Sequence, residues 1–411
     1  MSLNQLSIDI EHCLSNHLGR IQNRPHPNWL LPKTPQAFLG DYLTLQRLGR
    51  TPWQQRLNRL LGLYPKLWGK WVFPNHIAFG MMILDKLYLN TVPATHKTEK
   101  SFFKQALSDT LKKAPPKIMK HATSVEFFLF LSESVGLFFK HSGLPNDPYL
   151  KEKQAHNNLC LGLVKQFKEE LALTETHFGL ALYFATRANW IDLVEGKKAV
   201  DGFLMGFREE FNELLSDPSP IQTQCYFNRF FQLYAVKDQL LGRSNGHILY
   251  ELDNNGEVVF DLLIAEFLLQ KSHRITFVVK SQPVVNDVTR FDLESLLVGG
   301  GLDAISEAYK QGQIQIVESG SIIAGKYVFE TTTAYQTAYL SADVVILKGQ
   351  GNFQTLPMGL RTFRKTQQFY YAKPHIHLMG IKSPIIMHCF ARWLKPENQP
   401  RFQSVFAYFH G

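Results

Sequence analysis

Polar residues that could bind a metal follow two apolar runs in the second half of the sequence. The run HILYEL leads to Asp253 and Asn254, and the run ITFVVK leads to Asp287. Carboxylate and amide oxygens are the ligands that Mg²⁺ and Mn²⁺ prefer, so we predict that these three residues bind a divalent metal. They are also the predicted catalytic residues, because a bound metal offsets phosphate charge and activates water.

A glycine-spaced loop, Lys348 to Asn352, follows a third run, ADVVIL. Lys348 supplies a positive charge, and Gly349 and Gly351 let backbone N–H groups approach phosphate oxygens closely. Each of the three loops by itself is also compatible with an ordinary turn or helix cap. Their succession at the ends of three apolar runs favours phosphoryl transfer.

These loops can meet only if the apolar runs lie in one sheet. HILYEL, ITFVVK, QIQIV, ADVVIL and QQFYYA are short and alternate with helical stretches, a pattern typical of parallel strands with helices on both faces. We therefore predict an α/β fold, a three-layer α/β/α Rossmann-like domain with a mainly parallel sheet. Ligands bind such sheets outside the carboxyl ends of the strands, where the three loops begin.

The first half of the chain has apolar residues at three- and four-residue spacing and is predicted to be mainly helical. We divide the chain into an atypical helical or irregular region (1–120), a helical region that contributes to the active-site cleft (121–240) and the Rossmann-like domain (241–411). The part from about 20 to 75, rich in Pro, Trp and Leu, is compatible with a cap, a lid or a surface for a protein partner.

Three sequence blocks resemble the signature motifs of the damage-control phosphatase family, which carries an ARMT-like domain. The blocks are YELDNNGEVVFDLLIAEFLL, PVVNDVTRFDLESLL and ADVVILKGQGNFQTL. Residues 188–192 are similar to a fourth family element, with Ala188 in place of glycine. The resemblance covers about 180 to 390.

The resemblance implies metal-dependent hydrolysis of phosphate monoesters of small metabolites, such as sugar phosphates or related damaged phosphometabolites. The attacking group would be a metal-activated water or an Asp nucleophile, and the metal Mn²⁺, Mg²⁺, Co²⁺ or Ni²⁺. Asp253, Asn254 and Asp287 would be the metal ligands. The residues that would contact or line the substrate site are Glu257, Asn189, Asp192, Lys348, Gly349, Gly351, Asn352 and Arg364. Arg364 stands where one branch of the family has a phosphate-binding lysine.

Two other functions are compatible with the fold: an S-adenosylmethionine-dependent carboxyl methyltransferase, and a non-catalytic binding protein. The first strand lacks the glycine-rich turn expected for that cofactor, and a methyltransferase needs no set of hard oxygen ligands. His375 and His377 could be metal ligands, and His388-Cys389 a thiol site, but both are more typical of core or surface positions. Gly299–Gly301 follow a helix, which favours a plain turn over a nucleotide loop.

Composition indicates a globular protein. There are 44 Lys and Arg against 35 Asp and Glu, a formal charge of +9, but the basic residues are scattered, so we expect no nucleic-acid partner. We find no signal peptide and no long apolar segment, and expect a cytoplasmic protein that binds no membrane. The four cysteines form no CxxC pair, and we expect reduced thiols.

Overall fold

The fold was analysed in a computed structural model. It describes residues 3–23, 84–115, 124–170, 175–193, 197–217, 240–327, 330–355, 374–382 and 405–410. The chain forms two compact units. The first, called here the helical unit, contains the described residues up to Pro148 together with Tyr327. The second, the sheet unit, contains the described residues from Tyr149 to Lys326 and from Glu330 onward.

The sheet unit is built on six strands in the order β3-β2-β1-β4-β5-β6. The strands are β1 (His247–Glu251), β2 (Arg274–Val279), β3 (Ile314–Glu318), β4 (Val344–Lys348), β5 (His375–Gly380) and β6 (Val405–His410). Strands β1 to β5 pair in parallel, and β6 pairs with β5 in antiparallel orientation. The predicted α/β class with a mainly parallel sheet is confirmed.

Helices follow and precede these strands. Before the sheet come α4 (Leu150–Glu170), α5 (Glu175–Arg187), the short 3-10 helix Ala188–Trp190 and α6 (Lys197–Ser216). Between the strands lie α7 (Glu257–Gln270), α8 (Arg290–Val298), α9 (Asp303–Lys310), α10 (Thr333–Ser341) and α11 (Gly349–Thr355). Helix α7 packs against α4, α5 and α9. Apolar residues lie on all sides of this helix, and every residue from Glu257 to Leu268 is buried, as expected for a helix enclosed on every side.

Four of the predicted strand runs coincide with β1 to β4 within two residues. The fifth, QQFYYA at 367–372, lies outside the described residues. The strand beside β4 is β5, which was not among the predicted runs. Its residues His375 and His377 were considered only as possible metal ligands. Strand β6 was not predicted.

The helical unit contains α1 (Leu3–Gln22), α2 (Lys97–Lys113) and α3 (Ser124–His141). Helix α1 packs on both α2 and α3. Its buried residues recur every three or four positions, including Leu6, Ile10 and Leu14, so one face of the helix is apolar. Phe103 of α2 stacks on Phe138 of α3 at 4.6 Å between ring centroids, inside the same core. None of the helices in the described parts of the chain combines the length and apolar character needed to cross a bilayer.

Candidate active site

The loops that follow β1 and β2 are joined by backbone hydrogen bonds. The N–H of Val288 donates to the carbonyl of Asp253 at 2.8 Å, and that of Asn255 donates to the carbonyl of Asn286 at 2.8 Å. Asn254 and Asp287 form a bridge between the two loops. Because β1 and β2 are parallel neighbours, their carboxyl ends meet at one edge of the sheet. The structure thus brings together the three residues predicted to bind a metal.

Two buried amides hold two carboxylates at the start of α7. The Asn189 side-chain N–H group donates to Asp253 Oδ2 at 2.8 Å and to Glu257 Oε2 at 2.9 Å. The Asn254 amide donates to the same two oxygens at 3.0 and 3.1 Å. Asn189 in turn accepts a hydrogen bond from the Gly380 N–H at 2.9 Å, which links this pair to the end of β5. Asn189, Asn254 and the two acids therefore form one polar network in the interior.

The turn between β1 and α7 requires glycine at Gly256. Its φ is +83°, and a Cβ there would approach the side chains of Ile191 and His156 at 3.0 and 3.1 Å. The neighbouring Asn255 is fully buried, and its amide donates to the carbonyl oxygens of Asn286 and Asp287 at 3.0 and 3.2 Å. The local sequence Asn-Asn-Gly-Glu thus fixes both the chain reversal and the position of the β2 loop.

The third predicted loop also meets this site. Gly349 has a φ of +74°, and a Cβ on it would overlap the Asp253 carboxylate. Glycine is therefore required by both backbone conformation and space. Gly351 packs against the backbone of Gly325 and Ala324 in the loop after β3. Asn352 is buried and donates to the carbonyl oxygens of Leu252 and Lys348 at 3.2 and 2.9 Å, so it fastens α11 to β1.

Lys348, the last residue of β4, is completely buried. Its ammonium group lies 2.6 Å from Glu257 Oε1, 2.7 Å from Asp261 Oδ1 and 2.8 Å from the Ala185 carbonyl. An ammonium group has three N–H donors, and these three acceptors account for all of them. Lys348 was predicted to contact substrate; in this structure its ammonium group pairs with the acids of α7.

Two lysines that the sequence analysis did not select also reach the acids. Lys280, directly after β2, lies 3.4 Å from Asp287 Oδ2 and donates to the Gly325 carbonyl at 2.8 Å. Lys382, just after β5, lies 2.7 Å from Asp192 Oδ2, and its ammonium stands 5.9 Å from the centre of the Trp190 ring. Lys280 ends the predicted strand run ITFVVK, which is the signal that could have identified it, whereas Lys382 follows a strand that was not predicted.

Burial and mutual repulsion disfavour ionisation of the acids. Burial raises the pKa of Asp253 well above its ordinary value, and the nearby Glu257 and Asp287 carboxylates raise it further. Burial also raises the pKa of Asp287 to about 6, against the opposing effect of Lys280. The pKa of Asp261 is raised to about 7, again by burial, although Lys348 lowers it.

We call Asp192, Asp253, Glu257, Asp261 and Asp287 the acid cluster. Within the described residues, Lys280, Lys348 and Lys382 form ion pairs with it; Lys153 also lowers the pKa of Asp287 through its charge, but it is paired with Asp292 at 2.7 Å, so that pair adds no net charge. Five carboxyl groups against three ammonium groups leave the cluster two charges short of balance when every acid is ionised. A bound divalent cation would supply that charge.

The donor set fits such a cation. Asp253, Asn254 and Asp287 offer hard oxygen atoms, the kind of ligand that Mg²⁺ and Mn²⁺ prefer. Asp287 Oδ2 is buried and accepts no hydrogen bond from the described residues, its contact to Lys280 being 3.4 Å long. A metal ion bound there would stabilise this buried carboxylate oxygen.

The remaining sequence candidates lie elsewhere or outside the described residues. Arg364 and the pair His388-Cys389 fall outside them. His375 and His377 are buried within β5, where His375 Nε2 lies 3.1 Å from the Tyr339 hydroxyl and the His377 ring packs edge-on against Phe353. Gly299–Gly301 directly follow α8.

Comparison with known proteins connects this geometry to a family. The chain is 27% identical over 212 residues to a damage-control phosphatase of Pyrococcus horikoshii, covering 51% of this chain and 63% of that protein. It is 24% identical over 214 residues to a damage-control phosphatase of Archaeoglobus fulgidus, covering 52% and 65%. The matches therefore span just under two thirds of these relatives' lengths.

A solved structure of a DUF89 family protein from Pyrococcus horikoshii has the same fold, with a TM-score of 0.52 at 20% identity over 81% of this chain and 95% of that one. A family model described as the damage-control phosphatase ARMT1-like domain matches residues 84–397. The match begins well before residue 180, where the sequence motifs first suggested a resemblance, and includes part of the region expected to be atypical. The chain therefore belongs to the damage-control phosphatase ARMT1-like domain family.

Proposed function

We propose that this protein is a metal-dependent phosphatase that hydrolyses phosphate monoesters of small metabolites, such as sugar phosphates or related damaged phosphometabolites. The observation that carries the proposal is the charge of the acid cluster, in which five carboxyl groups face three lysines at the carboxyl edge of the sheet. Membership of a family whose curated relatives are named damage-control phosphatases supports it.

Asp253, Asn254 and Asp287 would hold the metal, and the assay described below tests Mn²⁺, Mg²⁺, Co²⁺ and Ni²⁺. When bound, the metal offsets phosphate charge and activates water. Asn189 and Glu257 position these ligands through the hydrogen-bond network at the start of α7.

The phosphate group of the substrate would contact Lys280 and Lys382, the two lysines that do not pair with the acids of α7. Lys382 retains 9% of its side-chain exposure and Lys280 retains 4%, whereas Lys348 has none. Asp192 holds the Lys382 ammonium in place, and the Lys382 backbone N–H donates to Gln350 in the glycine-spaced loop at 3.2 Å. A substrate phosphate that enters next to this loop would meet the positive charge of Lys382, which lies beside Asp192. Lys348 then acts as a positioning residue for Glu257 and Asp261.

The test is phosphate release by chelator-stripped protein from p-nitrophenyl phosphate and a panel of sugar phosphates, with each of the four metals added separately. We expect release only with metal, and loss of release in Asp253→Asn and Asp287→Asn. The matched control is Glu266→Gln. Like Asp253 and Asp287, Glu266 is a buried acid, but it lies on α7 and pairs with Lys168, outside the acid cluster. Silence of the wild-type protein with every metal and substrate, or full activity of Asp253→Asn, would overturn the proposal.

Rapid acid quench of a single-turnover reaction distinguishes the two modes of attack, because in H₂¹⁸O both modes label the released phosphate and only the covalent intermediate differs. Direct attack by Asp253 forms an aspartyl phosphate. Water then hydrolyses this covalent intermediate at phosphorus and leaves its oxygen in the released phosphate. That intermediate is detected on the Asp253 peptide by rapid acid quench and mass spectrometry. Attack by water gives labelled phosphate with no modified peptide.

A further inference from the structure

The helical unit contains a second group of side chains suited to bind a metal. Cys13 and His17 of α1 and Glu133 of α3 converge on one point, where one oxygen of Glu133 lies 3.3 Å from the Cys13 sulfur and 3.1 Å from His17 Nε2. The three ligand atoms all lie within 4.8 Å of one another. This group shares no residue with the candidate active site.

The placement follows from the helix period. Cys13 and His17 are four residues apart, so they lie on the same face of α1, and that face is buried against α3. Cys13 is 6% exposed and His17 2%, while the Glu133 side chain is 29% exposed. The group is thus accessible from solvent on the Glu133 side and enclosed on the other.

The distances suit a small tetrahedral ion. With the usual zinc bond lengths, a thiolate and a carboxylate oxygen on one Zn²⁺ stand about 3.6 Å apart, and an imidazole nitrogen and a carboxylate oxygen about 3.3 Å. The observed separations of 3.3 and 3.1 Å differ from these by only a few tenths of an ångström. Sulfur, nitrogen and oxygen ligands together select Zn²⁺ or Co²⁺ over the hard cations that suit Asp253 and Asp287.

The imidazole presents Nε2, and not Nδ1, to the other two ligands. His17 Nδ1 is buried and has no hydrogen-bond partner among the described residues, while Nε2 is the nitrogen that faces Glu133. Arg20 donates to the other oxygen of Glu133 at 2.9 Å and lies 3.0 Å from His17 Nε2. Arg20 thereby orients Glu133 and leaves its second oxygen directed at Cys13 and His17. Its positive charge opposes the metal and makes binding weaker and more readily reversible.

We propose that Cys13, His17 and Glu133 form a binding site for a zinc-class divalent cation, with a water molecule in the fourth position. On binding, the Cys13 thiol releases its proton to solvent, so that one thiolate and one carboxylate balance the charge of the ion. The ion fastens α1 to α3 within the helical unit.

The test uses the full chain after chelation and Co²⁺ as the probe, because a thiolate bound to Co²⁺ gives an intense near-ultraviolet charge-transfer band that oxygen ligands do not give. We expect about one equivalent of Co²⁺ to produce the band and Zn²⁺ to displace it. Cys13→Ser should abolish the band, and His17→Gln should weaken Co²⁺ binding by about tenfold or more.

Two controls make the assignment specific. Cys160→Ala removes another buried cysteine and should leave the band unchanged. The double variant Asp253→Asn/Asp287→Asn removes the candidate active-site ligands and should also retain it. Absence of the band in folded wild-type protein, or its persistence in Cys13→Ser, would refute the site. If Cys13→Ser fails to fold by circular dichroism, Glu133→Gln replaces it, and an unchanged Co²⁺ affinity in that variant refutes the site equally.

Discussion

Replacement of Lys348 by methionine tests whether the acids of α7 depend on this one lysine. Methionine has a similar length and no charge, so the variant leaves Glu257 and Asp261 buried without their shared cation. Removal of one partner of a buried ion pair costs about 3–5 kcal/mol, which is a change of about two to four orders of magnitude in the unfolding equilibrium. We expect a loss of this size in the free energy of unfolding of metal-free protein at pH 8.

The pH dependence of this loss follows from the raised pKa of Asp261. Because its folded-state pKa of about 7 exceeds the ordinary value of 3.8, ionisation of Asp261 opposes folding, and its contribution to stability falls as pH rises between these values. Without Lys348, which lowers this pKa, the decline continues to higher pH. The cost of Lys348→Met should therefore be nearly constant up to about pH 7 and grow by up to about 1.4 kcal/mol for each pH unit above that value.

Urea denaturation followed by circular dichroism at pH 5 and pH 8 measures both quantities. Lys168→Met is the matched control, because Lys168 pairs with Glu266 of the same helix but keeps 27% of its exposure, and it should cost about 1 kcal/mol or less. Adding Asp261→Asn to Lys348→Met should recover part of the loss, since one buried charge is removed. A cost under about 1 kcal/mol at pH 8, or an equal cost at both pH values, would refute the reasoning.

Three further predictions concern the acid cluster. Asp287→Asn should stabilise the metal-free protein by about 1–2 kcal/mol above pH 6, where its ionised carboxyl opposes folding, and should remove the rise in Tm that Mn²⁺ gives to wild type; an unchanged Tm rise would contradict this. Gly349→Ala should lower kcat by about 100-fold because its Cβ displaces Asp253. Gly143→Ala, with a similar positive φ and open space around it, is the control and should leave kcat unchanged. Lys382→Met should raise KM by about tenfold with little change in kcat, and a purely lower kcat would argue against its role in phosphate binding.

The first four strands could be predicted because each is a short apolar run that ends in a polar loop. Strand β5 could not, since His375 and His377 interrupt its apolar pattern, and only the contacts to Tyr339 and Phe353 show why histidine is tolerated inside the sheet. Strand β6 pairs with β5 in antiparallel orientation, which the repeating strand and helix pattern does not anticipate.

The loops of the candidate site could also be selected from sequence, because parallel strands place their carboxyl ends at one edge. The direction in which each side chain points could not. Lys348 is directed into the interior because α7 places Glu257 and Asp261 beneath it, one helical turn apart. Lys382 follows a strand that was not among the predicted runs, so its position next to Asp192 could be found only in the structure.

The Asn189 side chain connects parts of the chain that are synthesised at very different times. Its amide meets Asp253, 64 residues later, and Gly380, 191 residues later. Contacts between such distant residues form late in folding, because a long loop must close before they contribute. A chain still emerging from the ribosome, or one cut short before β5, therefore contains the acids in its sequence but lacks the contact that completes their arrangement. Metal-dependent activity at this site would then appear only in chains whose sheet unit has finished folding.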